Sequence, residues 1–299
     1  MTSMFFIGAP GAPAPSFEGH TLVLPAVSHG NVGQLALDLL VNTLLAQTAL
    51  ERVGYLNSSN VLAVAGNATW STLGGLSVGM EVFSDATAKL TLVQLRAPPA
   101  DGRTAAFAAE LAAWVGGAGF EKTLLLGGSQ PSPLVDTITQ QAPRYACTAS
   151  AGGAAGGAAA LAAEVPLAAA LAALEESGCR ALEGQAAGAA LLSEAVRFGG
   201  LARPLFRAMG AAALPLVVLV RFCSEGDNTQ EGAQLATVAN GFCGSPLAPQ
   251  LPPGMEEGAI PEQLKHLPAA MLRRVQWVEP PSWAGLHMGE HEMDAFTFQ

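Results

Sequence analysis

Residues 22–27 form an apolar run that stops at Ser28-His29-Gly30-Asn31, after which Leu35, Leu37, Leu39, Leu40, Val41, Leu44 and Leu45 return at spacings that place them on one broad helical face. The predicted unit is a strand, a glycine-bearing turn and a helix, with Asn31 at the N-cap. Residues 52–56 and 61–64 then read as short strands, and 80–84 and 89–95 as a hairpin about Asp85-Ala86-Thr87. A helix is predicted over 103–116, with Phe107, Leu111, Trp114 and Val115 on one side and Gly116-Gly117 as its stop. Strands follow at 122–126 and at Leu216–Phe222, and a helix at 229–239 with Asp227 or Asn228 as its cap. Strand and helix alternate. This predicts one α/β domain over residues 1–299, a three-layer sandwich whose mostly parallel central sheet is flanked by helices.

Two stretches break the pattern. Residues 148–205 are rich in Ala and Gly and hold few side chains large enough to anchor a core, so they read as an insertion: a loop with one or two short helices, 167–182 being the best helix former. Glu164, Pro166 and repeated glycines interrupt it as a membrane span. Residues 246–268 are proline-rich and read as surface covering. The extension 271–299 concentrates aromatics, with Trp277, Trp283, Phe296 and Phe298, a use of large rings that argues against a merely solvated tail.

Composition narrows the function. With 299 residues, half of them apolar, the chain can bury a full core. Its 24 acidic against 14 basic residues give a net charge of −10, which argues against a nucleic-acid partner. Cys147, Cys179, Cys223 and Cys243 have no C-x-x-C spacing and the five histidines are scattered, so reduced thiols and no structural metal are expected. The opening MTSMFFIGAPGAPAP lacks a basic region followed by a long apolar stretch, so a cytosolic or nucleocytoplasmic protein is expected, in which the sequons at Asn57 and Asn67 stay unused. Met4 reads as an alternative start.

Several groups invite chemistry. Gly30 and Gly33 lie where a strand-to-helix turn could cradle phosphate, yet there is no G-x-G-x-x-G and no lysine after the second glycine, so a tight connection is the reading. Ser28 and His29 are immediate neighbours that tend to diverge, and with Asp38 they read as ordinary turn and helix residues. Gly75-Leu76-Ser77-Val78-Gly79 spells G-x-S-x-G but leads into a predicted strand, the reverse of a nucleophile elbow. Ser224-Glu225-Gly226-Asp227-Asn228 follows a core strand, where α/β enzymes place carboxylates. It reads first as a turn that starts the next helix, and second as a small-molecule α/β enzyme site (a ligase or nucleoside-processing enzyme) using Glu225 and Asp227.

The wording of 22–48, continued in register through Arg52-Val53-Gly54-Tyr55-Leu56, Glu81-Val82-Phe83, 89–96, 110–126 with Trp114-Val115, LVRFCSEGDN at 219–228 and Pro280-Pro281-Ser282-Trp283, resembles the proteasome assembly chaperone 2 family. The likeness covers chiefly 20–126 and 215–240. It implies a binding protein without turnover or cofactor that forms a heterodimer with proteasome assembly chaperone 1. It further implies binding to α subunits of the 20S proteasome, promotion of α-ring assembly, a block on off-pathway association, and a place in cytoplasm and nucleus without membrane. The resemblance also draws in Thr297, Phe298 and Gln299, because factors that dock on proteasome ends often finish with a hydrophobe, a tyrosine and a last residue whose carboxylate enters a pocket between α subunits. Here Phe298 stands at the tyrosine position and Thr297 at that of the hydrophobe, so the match is partial.

Overall fold

The central strands send alternate side chains into two apolar layers, as the period of two requires. In the computed structural model, Val23, Leu124, Leu126, Val217 and Leu219 enter one layer, and Leu22, Leu24, Leu125, Val218 and Val220 the other. The structure describes residues 4–9, 11, 14–71, 75–130, 142–148, 165–181, 200–250 and 274–285.

In chain order the strands are β1 (Phe5–Gly8), β2 (Thr21–Pro25), β3 (Glu51–Asn57), β4 (Ala65–Asn67), β5 (Leu76–Val78), β6 (Met80–Asp85), β7 (Leu90–Leu95), β8 (Lys122–Ser129), β9 (Arg144–Cys147), β10 (Arg180–Ala181) and β11 (Leu216–Phe222). All but β4 and β5 join one sheet, in the order β1-β3-β6-β7-β2-β8-β11-β9-β10. Its centre, β7-β2-β8-β11, is parallel; β1, β3, β6 and β7 pair antiparallel on one flank, and β9 runs antiparallel to β11 on the other. The α/β sandwich expected from the alternation is thus present, with the parallel pairing concentrated in the buried middle.

Helices α1 (Val32–Gln47), α3 (Val165–Glu176) and α5 (Thr229–Phe242) cover one face, and α2 (Thr104–Ala118) and α4 (Ala202–Ala211) the other. Helix α1 is buried nearly all round from Val32 to Leu44 because the sheet, α5 and the 275–283 segment enclose it. Trp283 is buried in that layer and the backbone amide of Val278 donates to Thr43 Oγ1 at 2.9 Å, so this part of the aromatic extension packs on α1.

Several local expectations change. Residues 61–64 form no strand; Val61 only bridges Pro99, and β4 follows at 65–67. Helix α2 runs through Gly116-Gly117 to Ala118 and ends at Gly119, whose φ of 76° supplies the left-handed turn, because burial of Phe107, Leu111 and Val115 on one side of the helix outweighs the weak propensity of two glycines. Asn31 adopts φ 53° and makes no side-chain cap. Within 148–205, the alanine-rich helix expected over 167–182 is present but ends at Glu176, with β10 following at Arg180–Ala181; Leu167, Leu171 and Leu174 are buried at one-turn spacing in the α1–α5 layer. The remainder of that stretch lies largely outside the described residues, as do Phe296, Thr297, Phe298 and Gln299.

Candidate functional site

The carboxyl ends of the parallel strands are where an α/β sheet keeps a small ligand. Here backbone fills that place. Ser28 Oγ accepts from the Gly128 amide at 2.8 Å, and a Cβ on Gly128 would lie 2.1 Å from the His29 carbonyl oxygen. A Cβ on Gly30 would meet Asn228 Nδ2 at 2.7 Å and Cys223 Sγ at 2.8 Å, and one on Gly33 would meet the Leu126 oxygen at 2.2 Å. On the other side the Leu201 amide donates to Ala26 O at 2.7 Å. The glycines of the first turn serve close packing of α1 and the turn on β8 and β11.

The sequence-flagged groups do not converge. Asp38 is buried against Arg96 and Gln94, whereas Ser28 is engaged with Gly128. Ser77 donates to Glu81. Glu225 and Asp227 are exposed. Asp227 Oδ1 accepts from the Thr229 amide at 2.9 Å and from Thr229 Oγ1 at 2.5 Å, while buried Asn228 donates to the carbonyls of Ser224 and Gly226. The acidic loop is therefore a turn leading into α5, in which Asp227 bonds the first helical residue while Asn228, at the N-cap, makes no side-chain cap. Asp227→Ala is expected to cost about 1 kcal/mol, read as a shift in urea midpoint without a change in slope.

Among the described residues no group of three His, Cys, Asp or Glu could hold a metal ion. Burial pushes the thiols of Cys147 up to about 11 and of Cys179 and Cys243 up to about 12, so they stay protonated and poorly nucleophilic near neutrality. No helix among the described residues is long and apolar enough to cross a membrane.

A buried polar cluster lies instead beneath the β4–β5 hairpin. Glu81 and Gln94, opposite one another on β6 and β7, are both fully buried. Glu81 accepts from Ser77 Oγ at 2.8 Å, Trp70 Nε1 at 3.0 Å and Arg52 Nη1 at 3.4 Å. Arg52 also donates to the Tyr55 hydroxyl, and its guanidinium lies 4.4 Å from the Trp70 ring centroid. Next to it Arg96 grips Asp38 with two bonds of 2.6 and 2.7 Å and reaches Thr69 Oγ1 at 2.5 Å. Two charged side chains, Glu81 and Arg96, thus tie Thr69, Trp70 and Ser77 to the sheet. Local spacing misses this cluster; its one signal is a glutamate and a glutamine at inward positions of a hairpin.

Burial raises the carboxyl of Glu81 above its ordinary 4.5, against the opposing effect of Ser77, Trp70 and the two arginines. In the window above 4.5 the folded chain holds this proton more readily than the unfolded chain, so the contribution of Glu81 to stability falls as pH rises through it. Glu81→Gln is expected to flatten that part of the stability–pH curve, measured by denaturant unfolding at a series of pH values.

The same flank of the sheet exposes apolar side chains. Phe5 and Ile7 on edge strand β1 are 50% and 45% exposed, and Leu62, Val64 and Leu76 around the hairpin 49%, 40% and 64%. Strand β1 carries neither charge nor proline, the devices that usually blunt a sheet edge against pairing. Chemically the molecule offers surface for protein contact.

A family model described as the PAC2 family matches residues 22–194, more than half of the chain. The chain belongs to the PAC2 family. Its relatives include Proteasome assembly chaperone 2 of Danio rerio, 30% identical over 91% of this chain and 93% of that one. The human protein of the same name is 28% identical over 77% and 83%. Among solved structures, Pyrococcus furiosus PbaA, an archaeal homolog of proteasome-assembly chaperone, superposes with a TM-score of 0.54 at 14% identity, covering 82% of this chain and 88% of that chain. P. furiosus PbaB, an archaeal proteasome activator, gives 0.55 at 13% identity over 83% and 92%. These likenesses identify the fold. The PAC2 match runs from β2 through β10 and so includes the described part of the alanine-rich stretch.

Proposed function

We propose that this PAC2-family chain is a proteasome assembly chaperone that pairs with proteasome assembly chaperone 1 as a heterodimer, binds α subunits of the 20S proteasome, promotes α-ring formation and blocks off-pathway association of α subunits. It works in cytoplasm and nucleus and carries out no turnover. The observation that carries this reading is the near full-length match to a relative named Proteasome assembly chaperone 2, at 30% identity over 91% of this chain and 93% of that one. Two features of the chain support it. The strand ends that would hold a metabolite are closed by backbone contacts. The outer flank presents an unprotected strand and exposed Phe5, Ile7 and Leu76, surface suited to burial against another protein.

Affinity purification of the full chain from its own cells, followed by identification of co-eluting proteins, tests this. Recovery of 20S α subunits together with a second assembly chaperone is expected, and their consistent absence would end the reading. The docking role proposed for Thr297, Phe298 and Gln299 is tested separately: removing Phe298 and Gln299 is expected to weaken association with α rings while leaving the heterodimer intact, and unchanged association rejects it.

A further inference from the structure

Strand β1 ends the nine-strand sheet, so one of its two backbone edges faces away from β3. The register says which groups lie on that outer edge. Phe5 pairs with Asn57 and Ile7 with Tyr55, and the Ala9 amide donates to Val53 O at 2.9 Å, so the odd positions turn their amides and carbonyls toward β3. Phe6 and Gly8 therefore turn theirs outward. The side chains alternate between the two faces: Phe6 packs on Phe17 with ring centroids 5.5 Å apart, while Phe5 and Ile7 stand on the opposite face, 50% and 45% exposed. We propose that a second copy of this chain occupies the edge, its β1 lying antiparallel to the first about a two-fold axis at Ile7. The inference does not rest on the proteasome reading.

Self-complementarity selects the occupant, because a two-fold interface must set the same patch against itself. With the two Ile7 residues opposite one another, Phe6 of each copy falls opposite Gly8 of the other, and every outward amide of one strand meets an outward carbonyl of its partner. The residue facing each phenylalanine is then a glycine, so the Phe6 ring keeps its place on Phe17 and meets no side chain across the seam. On the other face the Ile7 pair is of the non-hydrogen-bonded kind, with Cα atoms about 4.5 Å apart. Phe5 of each copy lies diagonal to Ile7 of the other, so the exposed side chains join into one apolar strip. A slip by one residue would set outward groups against groups already bonded to β3 and lose the new bonds. A slip by two would set the Phe6 residues opposite one another. Phe5–Gly8 holds no charge or proline to oppose this pairing. The net charge of −10 on each copy opposes association at long range, so salt should tighten it.

The test uses the full chain alone. Sedimentation equilibrium between about 1 and 100 µM, the range suited to a small interface, is expected to show the mass rising from 30.4 kDa toward twice that value, and more so at higher salt. Ile7→Lys sets like charges directly opposite one another and is expected to weaken association at least about tenfold, while its exposed position leaves folding undisturbed. Leu76→Lys, also exposed but on β5, is expected to leave association unchanged. Register is read with added cysteines. Mild oxidation is expected to cross-link Ile7→Cys into a dimer on a non-reducing gel and to spare both Phe5→Cys, whose counterpart lies too far along the paired strand, and the unaltered chain with its buried and half-buried thiols. A chain that stays monomeric up to about 100 µM leaves the edge to a different protein and overturns the proposal. So do an unaltered dimer in I7K, an equal loss in L76K, or preferential cross-linking of F5C. No proteasome component enters this assay, so its failure leaves the assembly reading standing, and the reverse holds.

Discussion

Gly33→Ala is expected to destabilise the folded chain by about 3 kcal/mol, at the upper end of what overpacking costs, because the obstruction is backbone rather than a side chain that can rotate away. A Cβ at this position would lie 2.2 Å from the Leu126 carbonyl oxygen, 2.9 Å from its carbon and 3.3 Å from Pro25 Cβ. Relief requires α1 to lift from β8, yet α1 is enclosed by the sheet and by α5, where a Cβ on Gly232 would in turn stand 2.8 Å from Leu35 Cβ. The comparison is Gly117→Ala in α2. Nothing lies within 4 Å of a Cβ there, and alanine is the better helix former, so a gain of about 0.5–1 kcal/mol is expected. Urea unfolding of the two variants decides the matter: equal effects, or a stable Gly33→Ala protein, would mean that α1 does not sit this close to β8.

This first unit was also the most legible in the sequence, for a physical reason. An unbroken apolar run followed by a helical period is the mark of a strand buried on both faces feeding a helix buried almost all round, and β2, β8 and β11 are such strands. Legibility failed where neighbours and not local pattern create order. Strand β9 spans only Arg144–Cys147 and exists because β11 and β10 flank it. Helix α4 carries a clear alternation of Arg203 and Arg207 against Leu205 and Met209, but it follows so closely on the Ala/Gly-rich stretch that its start was absorbed into the insertion. Strand β1 hides in a glycine- and proline-rich opening and is fixed by pairing with β3 and by Phe6 packing on Phe17. Of the polar residues near the strand ends, Asn228 takes the N-cap position and Asp227 bonds Thr229, within the alternatives the spacing offers, and Asp38 joins no triad, as the divergence of Ser28 and His29 implies. Its true partners, Arg96 and Gln94, lie 58 and 56 residues away, a distance no spacing rule bridges.

That partnership sets the other large effect. Arg96→Met is expected to cost about 3–5 kcal/mol, because it leaves the Asp38 carboxylate buried with Gln94 as its remaining side-chain donor. Asp38 and Arg96 side chains are only 6% and 19% exposed, so water cannot take over the lost bonds as it would at a surface pair. Removing both charges is different. Asp38→Leu with Arg96→Met should recover much of the loss, since no unpaired charge remains and the methionine and leucine fill similar volume. A double-mutant cycle by chemical denaturation measures this coupling, and additive single losses would reject it. The local consequence separates this site from Gly33. Arg96 also holds Thr69, so in Arg96→Met the hairpin carrying Val64 and Leu76 loses one of its anchors, keeps those to Glu81 and Arg52, and opens more readily. Limited proteolysis under native conditions should then cut between residues 61 and 78 faster in Arg96→Met than in Gly33→Ala at matched global stability. Identical cleavage patterns in the two variants would show that the hairpin is held by something other than this pair, and would remove the link between the buried cluster and the apolar surface above it.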